Sequence, residues 1–356
     1  MLTQTEDGSI EDSSGKVIFF SVKRFVRDIC EGNCCFICGV SPNKAQFNNE
    51  HVLPEWILRK YGLFSRTLEL PNGTAFRYDQ YTVPCCCECN ALMGRIFEEP
   101  LSVLITQGYG AVAEFLSTND GGSWLIFTWL ALIYVKTHLK DKNLRLHKDR
   151  RLQDGMIADI YTWTELHHIH CVARSFYTGC PIDPKVHGSL LVLPARLEKH
   201  YEHFDYGDLY LARTVLLRLG DVAFLTVLND SCAAWNICRP IWQKITGSLS
   251  PLQLKELMAH FAFVNLNLKE RPSYHSETDS EGTLKMSALL PGKVELEDHP
   301  RQVELGTVLY GCCRAILSEI GNADKESIID NVKQGKMSFL FDSEGGFIHN
   351  SMDPGP

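Results

Sequence analysis

The amino-acid sequence predicts an α+β protein in which a small zinc-stapled module is followed by a larger α+β domain. Eight of the 14 cysteines fall in two tight groups between Cys30 and Cys89, which indicates a module held together by metal. Segments with helical and with strand-like patterns share the rest of the chain, with no internal repeat. The hydrophobic share of 45% and the charged share of 22% are typical of a globular protein with a substantial core.

The chain of 356 residues is long enough for two domains of ordinary size. We expect an N-terminal arm at residues 1–28, the zinc module at 29–104, the α+β domain at 105–345 and a frayed tail at 346–356. Residues 1 to about 15 are polar and acidic, so we expect them to be disordered. They carry no secretory signal, and the longest apolar run, Trp124–Val135, is shorter than the roughly 20 residues that cross a bilayer. We therefore expect a cytoplasmic protein with no membrane partner.

Local patterns predict the following elements in chain order. Proline at the start, or glycine or proline after the end, favours helices at Pro54–Tyr61, Asn90–Glu99 and Ser250–Phe261. The residue pattern predicts further helices at Ser102–Leu116, Trp124–Leu139 and Gly306–Ile320. Turn residues between β-prone runs predict hairpins, which we place at Thr67–Val83 and Tyr210–Leu228, with a further strand at His187–Leu193. The segment Val17–Ile29 is ambiguous between strand and helix, and Arg271–Gly282 has the composition of an exposed loop.

Two C-x2-C pairs, about fifty residues apart, carry the zinc prediction. Clustered thiols in a cytoplasmic protein favour metal ligation over disulfides. Four thiolates fill a tetrahedral zinc ion completely, so such a site is structural. Neighbouring Cys34, Cys85 and Cys87 leave the frame open, but only one choice preserves the two-residue gap twice. The predicted ligands are Cys35, Cys38, Cys86 and Cys89.

Three side chains near these cysteines have the chemistry of a hydrolytic site. A neutral imidazole at His51 can take a proton from water near pH 7. The adjacent Glu50 carboxylate and the Asn90 amide are oxygen donors suited to Mg²⁺ or Mn²⁺. The ordinary alternatives are a packing role for His51, a surface or arginine-pairing role for Glu50, and a helix N-cap at Asn90. The structural zinc would bring His51 and Asn90 together in space. The catalytic ion, Mg²⁺ or Mn²⁺, would be a different metal at a separate site.

The order CxxC, EHxxP, CxxCN resembles the HNH endonuclease family, and in particular its bacterial zinc-containing subgroup. The core reads Glu50-His51-Val52-Leu53-Pro54-Glu55-Trp56, and the closing segment is Cys86–Gly94. The resemblance covers residues 30 to about 100. It implies a ββα-metal finger that cuts phosphodiester bonds, usually of DNA, and leaves a 5′-phosphate and a 3′-hydroxyl. It also implies that His51 is the general base and that Glu50 and Asn90 hold the catalytic ion.

One position departs from the family pattern. Many members carry an asparagine five residues before the third zinc cysteine, where this chain has Tyr81. That asparagine helps to orient the base histidine, so another residue must support His51. Asp79 and Gln80 are the candidates that the sequence offers.

The net charge of −8 gives no overall signal for nucleic acid, so any DNA contact must come from a local patch. The stretch from Lys136 to Arg151 is basic and is either a phosphate-contacting surface or the solvated end of a helix. Its candidate residues are Lys136, Lys140, Lys142, Arg145, Lys148, Arg150 and Arg151. A histidine-rich tract, His167–Cys171, has no second ligand group near it in the sequence, which argues against a second metal site.

Together these features favour a DNA endonuclease with structural Zn²⁺ and catalytic Mg²⁺ or Mn²⁺. Two alternatives stay open: a zinc-stapled module that binds nucleic acid or protein without cutting, and a nuclease that is silent until its C-terminal domain binds a trigger. That domain is expected to select substrate, to bind an activating ligand or partner, or to mediate homo-oligomer assembly.

Overall fold

The structure, a computed structural model, describes residues 2–149, 151–152, 155–198, 202–279, 283–298, 304–318 and 325–349. The strands in this part of the chain are β1 (Leu2–Gln4), β2 (Ile10–Asp12), β3 (Val17–Phe19), β4 (Phe47–His51), β5 (Thr67–Glu69), β6 (Ala75–Arg77), β7 (Thr82–Cys86), β8 (Ser189–Pro194), β9 (Phe204–Leu209), β10 (Thr214–Leu219), β11 (Val222–Val227), β12 (Ser273–Thr278) and β13 (Leu284–Leu289). The α-helices are α1 (Val22–Arg24), α2 (Glu55–Lys60), α3 (Cys87–Met93), α4 (Glu99–Thr106), α5 (Tyr109–Thr118), α6 (Gly122–Asp141), α7 (His167–Ala173), α8 (Ser175–Thr178), α9 (Ala233–Ile237), α10 (Arg239–Trp242), α11 (Pro251–Leu266), α12 (Leu305–Ser318) and α13 (Lys325–Lys333).

The chain divides into two compact units, each built from three stretches of sequence. Unit 1 comprises Met1–Val103, Thr128–Ile182 and His275–Met286. Unit 2 comprises Leu104–Phe127, Asp183–Tyr274 and Ser287–Pro356. The mixed helix and strand content agrees with the α+β class that the sequence predicts. Residues 128–182 and 275–286, which the sequence-based boundaries assign to the C-terminal domain, belong to unit 1.

The N-terminal arm of unit 1 is ordered, so the expectation of disorder was wrong. Strands β1, β2 and β3 form an antiparallel sheet in that order. Ser9 is fully buried in the turn, where its backbone amide donates to the Asp7 carboxylate at 3.0 Å. The residues of β3 are buried as well. The polar residues that favoured disorder in the sequence form a hairpin instead, and their side chains accept the hydrogen bonds that close its turn. The ambiguous segment after it begins as strand and ends as helix.

The strand pair β4–β7 and helix α3 form the part of unit 1 that carries the candidate site. The two strands are antiparallel, with Glu50 opposite Val83 and His51 opposite Thr82. Helix α3 starts directly after β7, because the Cys86 side chain caps it by accepting from the Cys89 amide. Between the strands lie α2 and the predicted hairpin, β5–β6, which turns as its Pro-Asn-Gly sequence indicates.

We expected this helix to end at Pro100, but the helix that begins at Cys87 runs past that residue. It passes through a π-turn at Gly94–Glu98, in which the Glu99 amide donates to the Gly94 carbonyl, and continues as α4 to Thr106. The π-turn resets the register, so Pro100 lies in what is effectively a new first turn. Proline is tolerated there because the first N–H groups of a helix have no intrahelical partner.

Unit 2 is built on a four-stranded antiparallel sheet with the order β8-β11-β10-β9. The predicted hairpin is present as β10 and β11, and both strands are buried along their whole length. The apolar residues Leu254, Leu257 and Phe261 of α11 share one core cluster with this sheet. Ser250 caps α11 in a reciprocal box with Gln253, as its position before the proline predicts.

Two further features differ from or add to the expectations. The segment 273–278, expected to be a loop, is strand β12 and pairs with β13, because it contains Tyr274 and Thr278, residue types that are enriched in strands. The predicted tail is ordered as far as the described residues extend, since the Ile348 amide donates to the Leu340 carbonyl. Residues 350–356 of that tail lie outside the described residues. In the part of the chain that the structure describes, no helix has both the length and the apolar character required to cross a bilayer.

Candidate zinc centre and histidine site

The four predicted zinc ligands lie together in unit 1. The sulfur atoms of Cys35, Cys38, Cys86 and Cys89 all lie within 4.8 Å of one another. Cys38 Sγ and Cys86 Sγ are 3.7 Å apart. Thiolates at ~2.3 Å from a tetrahedral zinc ion are separated by about 3.8 Å, so the cluster has the right size for that ion. The donor set of four sulfurs therefore fits zinc, and the site would be closed to water and structural.

The structure also answers which cysteines form the cluster. Cys85 Sγ lies 3.8 Å from Cys35 Sγ but is not part of the group of four. In strand β7 the side chains of Cys85 and Cys86 leave the backbone on opposite faces. Cys86 and Cys89 share the first turn of α3, where the Cys89 amide points at the Cys86 sulfur at 3.5 Å.

The turn between Cys35 and Cys38 is held by side chains that the sequence did not identify. The imidazole of His170 lies 2.6 Å from the carbonyl of Phe36, and the Arg174 guanidinium donates to the carbonyl of Ile37 at 2.7 Å. Burial lowers the pKa of His170 well below its ordinary value, so the ring is neutral. One histidine of the histidine-rich tract, His170, and the nearby Arg174 therefore hold the cysteine turn by hydrogen bonds to its backbone.

Arg174 is a fully buried cation next to the cysteine cluster. It also donates to the carbonyls of Ile18 and Val17, at 3.0 and 2.7 Å, and lies over the ring of Phe20. Burial lowers its pKa to about 10, which still leaves it charged at neutral pH. A zinc ion with four thiolates carries two negative charges, and a guanidinium among backbone carbonyls offsets part of that charge.

Glu50 lies at the end of β4 and is only 6% exposed. Its Oε1 accepts a 2.7 Å hydrogen bond from Nζ of Lys136, which is itself 3% exposed. The same ammonium donates to the backbone carbonyl of His51 at 2.8 Å. Glu50 is thus a buried member of an ion pair, and its second oxygen, Oε2, makes no hydrogen bond with any other described residue.

His51 is partly exposed, and its imidazole makes no hydrogen bond with the described residues around it. The ring meets Phe64 edge to face, with the centroids 6.4 Å apart. Asp79 lies within electrostatic reach: the Arg77 guanidinium, and to a lesser degree His51, hold the pKa of the Asp79 carboxyl below its ordinary value. Tyr81, which replaces the family asparagine, is buried and turns its hydroxyl towards Asp141 at 3.4 Å. Of the two candidates to support His51, Asp79 is therefore the one whose charge interacts with it.

Asn90 lies in the first turn of α3, one residue after Cys89, and is partly exposed. Its amide side chain makes no hydrogen bond with another described residue. The helix cap is the Cys86 sulfur, so the ordinary capping role for Asn90 does not apply.

Glu98, in the π-turn, is a residue near the site that sequence reasoning missed. Burial, together with the neighbouring carboxylates of Glu50 and Glu55, raises the pKa of Glu98 to about 7, although Lys136 opposes the shift. The sequence carries no signal for it, because the π-turn that places Glu98 is visible only in the structure; such turns often occur at functional sites.

The basic stretch that could contact phosphate is smaller than the sequence suggested. Lys136 must be removed from it, because a buried ammonium paired with Glu50 cannot reach a DNA backbone. Lys140 is partly buried over the ring of Phe76, and Lys142 donates to the carbonyl of Gly32. The candidates left on the surface are Arg145, Lys148 and Arg151, while Arg150 lies outside the described residues.

Comparisons with known proteins add no further assignment. No protein-family model matches the chain, and neither the curated proteins nor the solved structures gave a match.

Proposed function

We propose that this protein is a metal-dependent HNH-type endonuclease that hydrolyses phosphodiester bonds of DNA, with His51 as the general base. The proposal joins the sequence resemblance to the arrangement of the same residues in unit 1. The four-cysteine cluster is taken as the structural zinc site of this enzyme.

The observation that carries the proposal is the strand–strand–helix arrangement around the cysteines. Strand β4, which ends in Glu50 and His51, is hydrogen-bonded to β7, and β7 leads into the helix that carries Asn90. The cysteines of this segment meet those of the N-terminal turn. Residues about forty positions apart in sequence are thereby held on one small scaffold, in the order that a ββα-metal finger requires.

The chemistry follows from the side chains at this scaffold. The His51 imidazole has no competing hydrogen bond and can take a proton from the attacking water. The water oxygen bonds to phosphorus as the bond to the 3′ oxygen breaks, and the leaving 3′ oxygen takes a proton from solvent water, which leaves a 5′-phosphate and a 3′-hydroxyl. Glu50, through Oε2, and Asn90 would hold Mg²⁺ or Mn²⁺, whose charge stabilises the phosphate in the transition state. The Asp79 carboxylate, which is ion-paired with Arg77 and makes no hydrogen bond to the imidazole, would act on His51 through its charge in place of the missing asparagine.

A plasmid-nicking assay tests the proposal. The zinc-loaded protein with Mg²⁺ or Mn²⁺ should convert supercoiled plasmid to nicked and linear forms. His51→Ala should reduce the rate by at least ~100-fold, which is the lower range for loss of a general base. His203→Ala, an exposed histidine of unit 2, is the matched control and should cut at the wild-type rate. A His51→Ala protein of unchanged zinc content that cuts as fast as wild type contradicts the proposal.

A second candidate function is a non-catalytic module that binds nucleic acid. The buried Tyr81 favours it, because it occupies the position of the family asparagine and its hydroxyl turns to Asp141 instead of His51. Replacement of Glu50, His51 and Asn90 by alanine discriminates between the two functions. If the protein is a non-catalytic binding module, the alanine variants keep the DNA affinity of wild type in a gel-shift assay. The wild-type protein itself then does not cut DNA.

A further inference from the structure

Lys136 lies outside the sequence motif, yet it makes contact with two consecutive residues of that motif. It belongs to α6, about 85 positions after Glu50 in the chain. Its Nζ is 2.7 Å from the Glu50 carboxylate and 2.8 Å from the His51 carbonyl. One ammonium therefore holds both the side chain and the backbone at the end of β4.

The burial of this pair makes the contact energetically important. Two charges removed from water are tolerated only when they are paired and hydrogen-bonded, and loss of one partner leaves the other buried and uncompensated. Both Lys136 and Glu50 are more than nine-tenths buried. The orientation of the Glu50 carboxylate is consequently fixed by Lys136 and not by solvent.

The ion pair leaves the two oxygens of the Glu50 carboxylate in different environments. Oε1 is bound by the ammonium, while Oε2 has no hydrogen-bond partner among the described residues. Carboxylates that bind a metal through one oxygen are commonly held by a hydrogen bond at the other, and loss of that partner weakens metal binding 10- to 100-fold.

We infer that Lys136 is a positioning residue of the proposed nuclease site. It fixes the Glu50 carboxylate so that Oε2 alone is offered to the divalent cation, and it anchors the strand end from which the His51 imidazole projects. The inference rests on the proposed function, because it assigns Lys136 a role at that same cation site. The site then depends on helix α6 as well as on the motif.

The test measures Mn²⁺ affinity directly, by electron paramagnetic resonance of free Mn²⁺, in the zinc-loaded full chain. Lys136→Met should weaken Mn²⁺ binding by at least ~10-fold and lower kcat for nicking while leaving KM for DNA unchanged. Lys136→Arg, which keeps the charge and the donors, should restore most of the affinity. Lys255→Met is the matched control, because Lys255 is also a buried lysine in an ion pair, at 2.7 Å from the partly exposed Asp205 of unit 2. It should bind Mn²⁺ as wild type does.

Zinc content and the urea midpoint show whether each variant is folded. If Lys136→Met does not fold, Lys136→Gln replaces it; its shorter, uncharged side chain keeps a donor, so it should weaken Mn²⁺ binding by a smaller factor. Unchanged or tighter Mn²⁺ binding in a folded Lys136→Met or Lys136→Gln protein overturns the positioning role. A wild-type protein that binds Mn²⁺ in a Lys136-dependent manner but never cuts DNA overturns the proposed function alone, whereas no Mn²⁺ binding by wild type overturns both.

Discussion

The guanidinium of Arg174 donates a 2.7 Å hydrogen bond to the carbonyl of Ile37, midway between two of the clustered cysteines. This contact ties the junction between α7 and α8 to the turn that presents Cys35 and Cys38. It makes the geometry of the metal cluster depend on a residue that no cysteine motif contains.

Arg174→Met should therefore weaken both the fold and the retention of zinc. The substitution leaves buried carbonyls without a donor, at a cost of about 3 kcal/mol or more in the free energy of unfolding. It also removes a positive charge beside the thiolates. Urea unfolding and the rate of zinc release to a chelator measure the two effects. Arg59→Met, at an exposed surface ion pair with Glu55, should change stability by less than about 0.5 kcal/mol. Equal zinc release from the two variants would contradict the role of Arg174.

The choice of Cys86 over Cys85 as a ligand can be tested by zinc content. Cys86→Ser should lose zinc, because one of the four thiolates is gone and the remaining three bind less tightly. Cys85→Ser changes a neighbouring buried thiol that is outside the cluster, and it should keep one zinc per chain. Metal analysis of the purified proteins gives the result directly. Retention of zinc by Cys86→Ser together with its loss from Cys85→Ser would reverse the assignment.

Gly39, directly after Cys38, is required by both backbone and space. Its φ is +78°, and a Cβ there would lie 2.6 Å from Cζ of Phe20. Gly62 has a similar φ of +63° but no atom within 4 Å of an added Cβ. Gly62→Ala should cost about 1 kcal/mol for the left-handed backbone alone, and Gly39→Ala at least about 1 kcal/mol more, because a core ring must move. Urea denaturation of the two variants measures the steric cost at Gly39 as the difference between their free energies of unfolding. Equal losses would show that the Phe20 ring moves aside at no cost.

Asp230 in unit 2 is a buried carboxylate whose oxygens accept hydrogen bonds from backbone amides around the turn at Ser231 and Cys232. It accepts from the amides of Ser189 and Ala234, both at 2.7 Å, and burial raises its pKa. It thereby holds Ser231 and Cys232, whose φ values of +47° and +66° are unfavourable for residues with a Cβ. Asp230→Ala should cost about 3 kcal/mol in the free energy of unfolding.

The matched control for that prediction is Asp183→Ala. Asp183 accepts from one amide, that of Lys185, at an exposed turn, and its loss should cost about 1 kcal/mol or less. Comparable losses in the two variants would mean that the buried network around Asp230 contributes little beyond one hydrogen bond.

The local features of this fold could be predicted from sequence, because short-range chemistry determines them. A few adjacent residues determine the two C-x2-C pairs, the helix that begins with proline after Ser250 and the hairpin of β10 and β11. The same is true of the cysteine frame, since only one choice repeats the two-residue gap. The role of the oxygen donors stays a prediction.

The long-range features could not be predicted in this way. Nothing near Lys136 in the sequence indicates that its ammonium reaches Glu50, and its basic neighbours suggested a surface. The sequence argued against a metal site at the histidine-rich tract but indicated no role for His170, whose imidazole contacts the carbonyl of Phe36. The π-turn before Pro100 shows the same limit, because a proline that normally ends a helix is accommodated by one extra residue in the preceding turn.

The three-part make-up of unit 1 has a consequence for how the chain is synthesised. The cysteines leave the ribosome early, but the last stretch of the unit, His275–Met286, follows about 200 residues after Cys89. At roughly 5–20 residues per second, the thiols wait on the order of 10–40 s before their unit is complete. Zinc bound by the four cysteines during that interval would keep the thiolates together until the rest of the unit is made.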